Sequence, residues 1–187
     1  MGKVVIDMSM SLDGYIAAPN DTPDDGLGED GMRLHNWAFD DPSVAERIFG
    51  DAESTTGAVI MGRRTFDNSI GPWGGKGPLG PVPCFVVTHR PIPDVDPVFT
   101  VVEDGIENAL AKARAAAGDK QIGIMGADVP RQFIAAGLVD EIRIHLVNVL
   151  LGSGRRMFDE LPQRVELEQI GLSEDGGVAH VVYRVVR

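Results

Sequence analysis

The feature that most limits the fold of this chain is a strand–glycine–helix transition that occurs twice. Residues 58–61 and 121–125 are short apolar runs of the kind that forms buried strands. Each run ends at a glycine, Gly62 or Gly126, and a helical pattern begins shortly afterwards. Short buried strands that alternate with helices are typical of a parallel sheet with helices on its faces. The sequence therefore predicts an α/β protein.

Helical patterns are expected in three longer segments. Apolar residues recur at helical spacing over 104–117, where Gly118 ends the pattern, and weaker patterns cover 40–55 and 128–137. Polar side chains that can accept hydrogen bonds from free amides stand at the start of each segment. The caps expected there are Asp104 with Glu107, one of Asp40, Asp41 and Ser43, and Asp128.

The end of the chain is richer in strands than the beginning. Ile142, Ile144 and Leu146 alternate with polar residues, and 178–186 reads as a last strand after two glycines. We therefore expect a three-layer fold in a single domain, 1–187, with a mainly parallel central sheet flanked by helices and antiparallel C-terminal strands. The alternating tail could pair with the edge of a second subunit, so a homodimer is expected.

Charge and residue counts argue against several classes of function. The chain has 17 Lys and Arg against 28 Asp and Glu, a net charge of -11, so nucleic acid is not an expected partner. With only Cys84 and no paired spacing among four histidines, we expect no disulfide and no metal site. No long apolar run opens the chain, so a cytoplasmic protein without a membrane segment is expected.

Three strand ends carry groups suited to phosphate. A glycine allows close approach of the backbone, helix-terminal N–H groups can face an anion, and arginines supply paired donors. The alternatives are an exposed turn at residues 62–65, solvated charges at 88–90 and a tight strand-to-helix turn at 126–128. Because neither a Gly-x-Gly-x-x-Gly fingerprint nor a Walker lysine loop is present, the three ends would have to share one ligand. The residues are Gly62, Arg63, Arg64 and Thr65; Thr88, His89 and Arg90; and Gly126, Ala127 and Asp128.

Several motifs follow one another in a fixed order along nearly the whole chain. They are MSLDGYIA at 10–17, VIMGRRTF at 59–66, VVTHRP at 86–91, GAD with RQF at 126–128 and 131–133, GLVDE at 137–141, and LLGSGRRMF at 150–158. In this order they resemble the dihydrofolate reductase superfamily. The similarity is greatest to the reductase domain of bacterial riboflavin biosynthesis, which is the C-terminal domain of a bifunctional deaminase-reductase, and to its stand-alone relatives.

The resemblance implies a dihydrofolate reductase-like fold and an NADPH-dependent reductase. The arginines favour NADPH over NADH because a guanidinium binds the additional 2′-phosphate in a fork. By resemblance, Gly62, Arg63, Arg64 and Thr65 would hold phosphates of the cofactor, Thr88, His89 and Arg90 its adenosine end, and Gly126, Ala127, Asp128 and Val129 the pyrophosphate and nicotinamide region.

Four further residues are candidates for work on the substrate. Asp13 could polarise or hydrogen-bond the substrate as the catalytic residue, although Asp13-Gly14 can also be read as a turn. Trp37 could stack on a ring or simply pack locally, and Asp41 is a second acidic contact near the start of a helix. Arg155 could bind a substrate phosphate or belong to a hairpin.

The leading expectation for the activity is reduction of a small pyrimidine or pterin-like heterocycle, most specifically of 5-amino-6-(5-phosphoribosylamino)uracil. A dihydrofolate or pterin reductase is the alternative, but 71–83 lacks an arginine for a folate carboxylate and offers only Lys76. Met125 stands where the family commonly has a second glycine. This departure leaves open a non-catalytic, dimeric nucleotide-binding protein.

Overall fold

The computed structural model describes residues 2–92, 95–159 and 161–187. Its strands are β1 Val4–Ser11, β2 Tyr15–Ala17, β3 Thr56–Gly62, β4 Cys84–Val87, β5 Phe99–Val102, β6 Gln121–Met125, β7 Glu141–Val147, β8 Arg155–Arg156, β9 Leu167–Asp175 and β10 Val178–Val185. Its helices are α1 Asn36–Phe39, α2 Pro42–Thr55, α3 Arg63–Ser69, α4 Ile106–Ala117 and α5 Asp128–Ala135, and a 3₁₀ helix covers Gly31–Leu34.

The centre of the molecule is an eight-stranded sheet in the order β5-β4-β3-β6-β1-β7-β10-β9. The strands from β5 to β7 pair in parallel, and β10 and β9 are antiparallel to their neighbours. This arrangement confirms the predicted fold class. Because the parallel strands all point the same way, their carboxyl ends meet at one edge, where open α/β sheets bind ligands.

Helices cover both faces of the sheet. On one face α4 and α5 bury Leu110 and Phe133 against a core that includes Ile124. On the other face α3 buries Phe66 beside Met61. Each such large side chain contributes on the order of 1.5–3 kcal/mol when it is removed from water. These contacts fix the first turns of α3 and α5 at the carboxyl edge of the sheet.

Two predicted helix caps are wrong. Helix α4 begins at Ile106 after Gly105, whose φ of +94° breaks the backbone before the helix, and no side chain caps it. Helix α5 begins at Asp128 with Ala127 at the cap position, and the Asp128 carboxylate pairs with Arg131 instead. The third cap is confirmed, because Asp41 accepts a hydrogen bond of 2.8 Å from the Ser43 amide at the start of α2.

The C-terminal strands differ from the expectation in one respect. Ile142, Ile144 and Leu146 belong to β7, which lies inside the sheet between β1 and β10 and so cannot pair with another subunit. The edge strand is β9, where Ile170 and Leu172 are 40% and 66% exposed. The sequence signal for β9 was weak because its apolar residues are few and its neighbours are polar.

Candidate functional site

The ends of β3 and β6 bring four of the predicted cofactor residues into contact. The two strands pair in parallel up to Met61 and Met125, so Gly62 and Gly126 follow at the same level. Gly126 has a φ of +92°, and a methyl group there would lie 2.3 Å from the Thr65 hydroxyl oxygen. A methyl group at Gly62 would lie 3.2 Å from Val129. We call Gly62, Thr65, Gly126 and Val129 the strand-end junction.

Beside this junction lies a charged group that we call the arginine cluster, formed by Asp21, Arg64 and Arg155. The Arg64 guanidinium donates to both carboxylate oxygens of Asp21, at 2.9 and 2.7 Å. Arg155 Nε donates to the same carboxylate at 3.4 Å. Burial favours a higher pKa for Asp21, but the Arg64 hydrogen bond and the Arg155 and Arg64 charges outweigh it and hold the pKa below its usual range.

The arginine cluster borders a cavity of about 460 Å³. Its wall contains Asp21, Arg131, Arg155 and Arg156, and Arg156 lies 4.6 Å above the ring of Tyr15. A cavity of this size is in the range of small-molecule sites. Arg131 pairs with Asp128 and Asp159, and Arg155 pairs with Asp21, so a phosphorylated ligand would contact Arg156 and compete with these carboxylates for the other two arginines.

The third strand end forms a separate group. Arg63 donates to Asp67 at 2.7 Å and to the Pro91 carbonyl at 2.8 Å, which ties α3 to the segment after β4. Arg90 lies 4.0 Å from the same Asp67, and its backbone amide donates to the Thr88 hydroxyl at 3.0 Å. The structure thus brings Arg63 to the Thr88 and Arg90 end rather than to Arg64. His89 is exposed beside them.

Asp13 lies at the carboxyl edge, but its carboxylate is already occupied. It accepts hydrogen bonds from the Ser11 hydroxyl at 2.6 Å and from the amides of Leu151 and Gly152 at 3.1 and 2.7 Å. These bonds, with the one from Ser11 foremost, hold the pKa of Asp13 below its usual value. In this arrangement Asp13 accepts hydrogen bonds as an anion and orients the segment that carries Arg155.

Asp41, another substrate candidate, is exposed at the start of α2. Its carboxylate accepts from both the amide and the hydroxyl of Ser43, and these bonds lower the pKa of Asp41. This contact is a helix cap.

Trp37 lies over a pair of histidines that the sequence reasoning did not single out. Its ring centre is 4.5 Å from that of His145 and 4.7 Å from that of His180. His145 also contacts Asp7, at 2.7 Å. The available signal was Asp7 itself, because a charged residue in the middle of an apolar first strand needs a partner or a solvent-filled opening.

No group of three or more His, Cys, Asp or Glu side chains in 2–92, 95–159 and 161–187 is arranged to hold a metal ion. Cys84 is fully buried in β4, and burial raises the pKa of its thiol to about 12, so this cysteine is unreactive. None of the helices in these ranges is both long and apolar enough to span a bilayer.

Comparison with known proteins gave consistent matches. A family model, the RibD C-terminal domain, matches residues 2–181. The uncharacterized protein YyaP of Bacillus subtilis strain 168 is 26% identical over 97% of this chain and 94% of its own length. A putative riboflavin biosynthesis protein from Shewanella sp. PV-4 superposes with a TM-score of 0.78 over the whole of both chains, at 22% identity.

A further solved structure is that of the diaminohydroxyphosphoribosylaminopyrimidine deaminase/5-amino-6-(5-phosphoribosylamino)uracil reductase of Thermotoga maritima. It superposes with a TM-score of 0.66 and 12% identity, over 99% of this chain and 57% of the Thermotoga chain. These matches confirm the resemblance inferred from the ordered motifs. They show a fold like that of riboflavin-pathway reductases, and the family points to an oxidoreductase.

Proposed function

Because the chain belongs to the RibD C-terminal domain family, we propose that it is an NADPH-dependent reductase of a small pyrimidine or pterin-like compound. The most specific substrate proposed is 5-amino-6-(5-phosphoribosylamino)uracil, on which the Thermotoga relative acts by its name. We place the reaction in the cytoplasm, because a chain with a single, buried cysteine suits a compartment that keeps thiols reduced.

The observation that best supports a dinucleotide is the closeness of the strand-end junction to Arg64. Arg64 and Thr65 share the first turn of α3, and Thr65 touches Gly126 at the end of the next strand. Two glycine backbones and a half-exposed guanidinium therefore lie at one edge of the sheet. Backbone amides and a bidentate arginine together fit the phosphates of NADPH.

The cavity supports a substrate that itself carries a phosphate. Arg131, Arg155 and Arg156 line it, and the side chains of Arg131 and Arg155 are 26% and 29% exposed. A phosphoribosyl group would place an anion beside Arg156 and would compete with Asp159 and Asp21 for Arg131 and Arg155. A folate is less well supported because 71–83 offers no arginine to bind its carboxylate.

The proposal is tested by fluorescence titration of the purified chain with NADPH and with NADH, followed by turnover assays. We expect preference for NADPH and loss of absorbance at the reduced nicotinamide band with 5-amino-6-(5-phosphoribosylamino)uracil. Dihydrofolate and dihydropterin serve as comparison substrates. No affinity for NADPH would overturn the proposal, and tight binding without turnover on any of the three would favour the non-catalytic nucleotide-binding protein.

A homodimer is also proposed, now through β9. This edge strand exposes Ile170 and Leu172, and a second copy could pair with it and cover both side chains. Light scattering of the wild-type chain should give a dimer mass, and Leu172→Lys should shift the mass towards a monomer. A monomer at working concentration in the wild type would exclude this interface.

A further inference from the structure

An interior strand of the sheet exposes a charged side chain. Strand β1 lies between β6 and β7, yet the Asp7 side chain is 44% exposed. A residue in the middle of an interior strand reaches solvent only where no helix covers that face. The sheet therefore has an opening above Asp7.

This opening lies next to the strand-end junction. Ile6 pairs with Ile124, so Asp7 is level with Met125, the last residue of β6, and Gly126 follows directly. By the family resemblance, Gly126 belongs to the segment that would hold the pyrophosphate and nicotinamide region of the cofactor. Asp7 lies in the neighbouring strand, level with the residue that precedes Gly126.

Two histidines lie behind Asp7 on the same face. The register places Ser9 beside His145 and His145 beside His180. His145 Nε2 lies 2.7 Å from Asp7 Oδ1, and His145 Nδ1 lies 2.7 Å from His180 Nδ1. His180 Nε2 lies 3.3 Å from the Asp175 carbonyl oxygen. We call Asp7, His145 and His180 the histidine relay.

The number of protons in the relay follows from its contacts. The Asp7 carboxylate and the Asp175 carbonyl can only accept, so His145 Nε2 and His180 Nε2 must both donate. The contact between the two Nδ1 atoms needs a single proton. All the contacts are satisfied when the pair of rings carries one positive charge. If both rings were charged, their two Nδ1–H groups would point at each other. If both rings were neutral, one of the three contacts would lack a proton.

The surroundings favour this single charge. Trp37 presents its ring to both histidines, and an aromatic face attracts a cation. Its indole N–H donates to Ser9 and to the Leu34 carbonyl, both at 3.1 Å, which fixes the ring in place. Asp7 supplies the opposite charge directly.

Other titratable groups facing the relay disfavour a second charge. Arg143 lies 3.8 Å from the free side of Asp7, and Arg47 pairs with the Asp175 carboxylate near His180. Burial and the His145 charge lower the pKa of His180. His35 faces the pair from the start of α1. Burial, with the His145 charge, lowers the pKa of His35 to about 4, so it stays neutral.

We propose that the histidine relay supplies the proton of the reduction, with Asp7 touching the substrate and His145 and His180 storing the proton behind it. The inference rests on the proposed function. The substrate class it fits is an imine, which a ribosylamine becomes when its C1′–O ring bond breaks, the nitrogen lone pair forms the C=N bond and the ring oxygen takes the N–H proton. NADPH, when bound, would supply hydride to the imine carbon and become NADP⁺, and the C=N π electrons would move to nitrogen. The His145 Nε2 proton passes to Asp7 and from there to that nitrogen, and solvent restores the proton through His180.

The first experiment needs no substrate. Histidine-labelled protein is titrated by NMR, as wild type and as Asp7→Asn, with Glu168→Gln as a matched carboxylate-to-amide control on the exposed hairpin. We expect the wild-type pair to take up one proton before the second, because the contact between the two Nδ1 atoms holds a single proton. Asp7→Asn should move the first uptake to lower pH, because the carboxylate charge is lost. Two independent titrations that are unchanged in Asp7→Asn would overturn the relay.

The second experiment measures turnover and cofactor binding separately. With 5-amino-6-(5-phosphoribosylamino)uracil, Asp7→Asn should lower kcat by roughly 10²-fold or more, as expected for loss of a general acid. The NADPH Kd should stay at the wild-type value. His180→Gln should shift the pH profile of kcat, because it removes only the storage position. Glu168→Gln should change neither quantity.

The outcomes separate the two proposals. A wild-type chain without NADPH affinity or turnover overturns the proposed function, and with it the role of Asp7 towards substrate. A wild-type chain that turns over while Asp7→Asn keeps kcat within about threefold overturns the relay alone, since general acids contribute far more. Circular dichroism of each variant excludes a loss of folding as the cause, and Asp7→Asn keeps the size and shape of the side chain.

Discussion

The strand-end junction and the arginine cluster lie side by side but are built in different ways. In the junction, uncharged atoms are packed so closely that Gly126 leaves no room for a methyl group beside Thr65. In the cluster, Arg64 and Arg155 meet at Asp21 from distant parts of the sequence, and Arg64 is half exposed. The junction depends on shape and backbone conformation, whereas the cluster depends on charge.

This difference determines how cofactor binding responds to substitutions in each region. A packed backbone contact leaves no room for an added atom, so substitutions in the junction should weaken cofactor binding strongly. Each exposed ion pair contributes little free energy, and salt screens it. Substitutions in the cluster should therefore change the cofactor affinity in small steps. Asp21 determines how much of the positive charge of Arg64 and Arg155 remains available to a phosphate.

The largest effect is expected for Gly126→Ala. A residue with a side chain at a φ of +92° is strained by about 1–3 kcal/mol, and its methyl group would also displace Thr65. We expect the NADPH Kd, measured by fluorescence, to rise roughly tenfold or more, as misplacement of a binding group commonly does. The matched control is Gly137→Ala, which has a φ of +67° but open space around it. It should lose stability and keep the wild-type Kd. Equal Kd values in the two variants would remove the junction from the cofactor site.

A smaller and opposite effect is expected for Asp21→Asn. Removing the carboxylate frees the Arg64 and Arg155 charges for a phosphate, so NADPH should bind roughly threefold to fivefold more tightly, the effect of one exposed ion pair. The gain should shrink as salt is raised, while the Gly126→Ala defect should not respond to salt. Weaker binding in Asp21→Asn would show that the carboxylate positions the arginines rather than competes for them.

The same ion pairs predict a pH dependence of stability. Because the pKa of Asp21 is held below its unfolded value, its contribution is present above the unfolded pKa of about 3.9 and is lost as the pH falls through the lower folded value. In denaturant titrations, the difference in unfolding free energy between wild type and Asp21→Asn should be constant from pH 5 to 7 and shrink below about pH 4. A constant difference down to pH 2 would contradict a native ion pair.

The smallest effect is expected outside both regions, for Asp41→Ala. Loss of the α2 cap should lower the Tm by roughly 2–4 °C. NADPH Kd and substrate KM should stay unchanged, because the carboxylate is bonded to Ser43. Asp40→Ala, one residue earlier, is the control, because Asp40 ends α1 through its backbone amide and the cap of α2 is Asp41. A raised substrate KM in Asp41→Ala alone would restore the substrate role expected from the sequence.

Sequence reasoning worked where a residue acts through its own backbone. Gly62 and Gly126 were predicted at strand ends because a short apolar run followed by glycine and a helix has few other solutions. It failed where two local signals compete. Asp104 and Asp128 both resemble caps, but Gly105 sets the start of α4, and Asp128 bonds to Arg131 instead. Capping needs a backbone geometry that residue types alone do not specify.

The candidate site likewise contains features that the sequence determines and features that only the tertiary structure decides. The sequence by itself determined the fold class, the glycines of the junction and the arginines at the sheet edge, since these follow from periodicity and composition over a few residues. Only the tertiary structure decided which charges meet: Asp21 with two arginines, and Asp7 with His145 and His180. The pairing of Asp7 with the histidines depends on β1 lying beside β7 and β7 beside β10, and the pairing of Asp21 depends on β2 lying beside β8. Such long-range strand order is set by packing of the whole core.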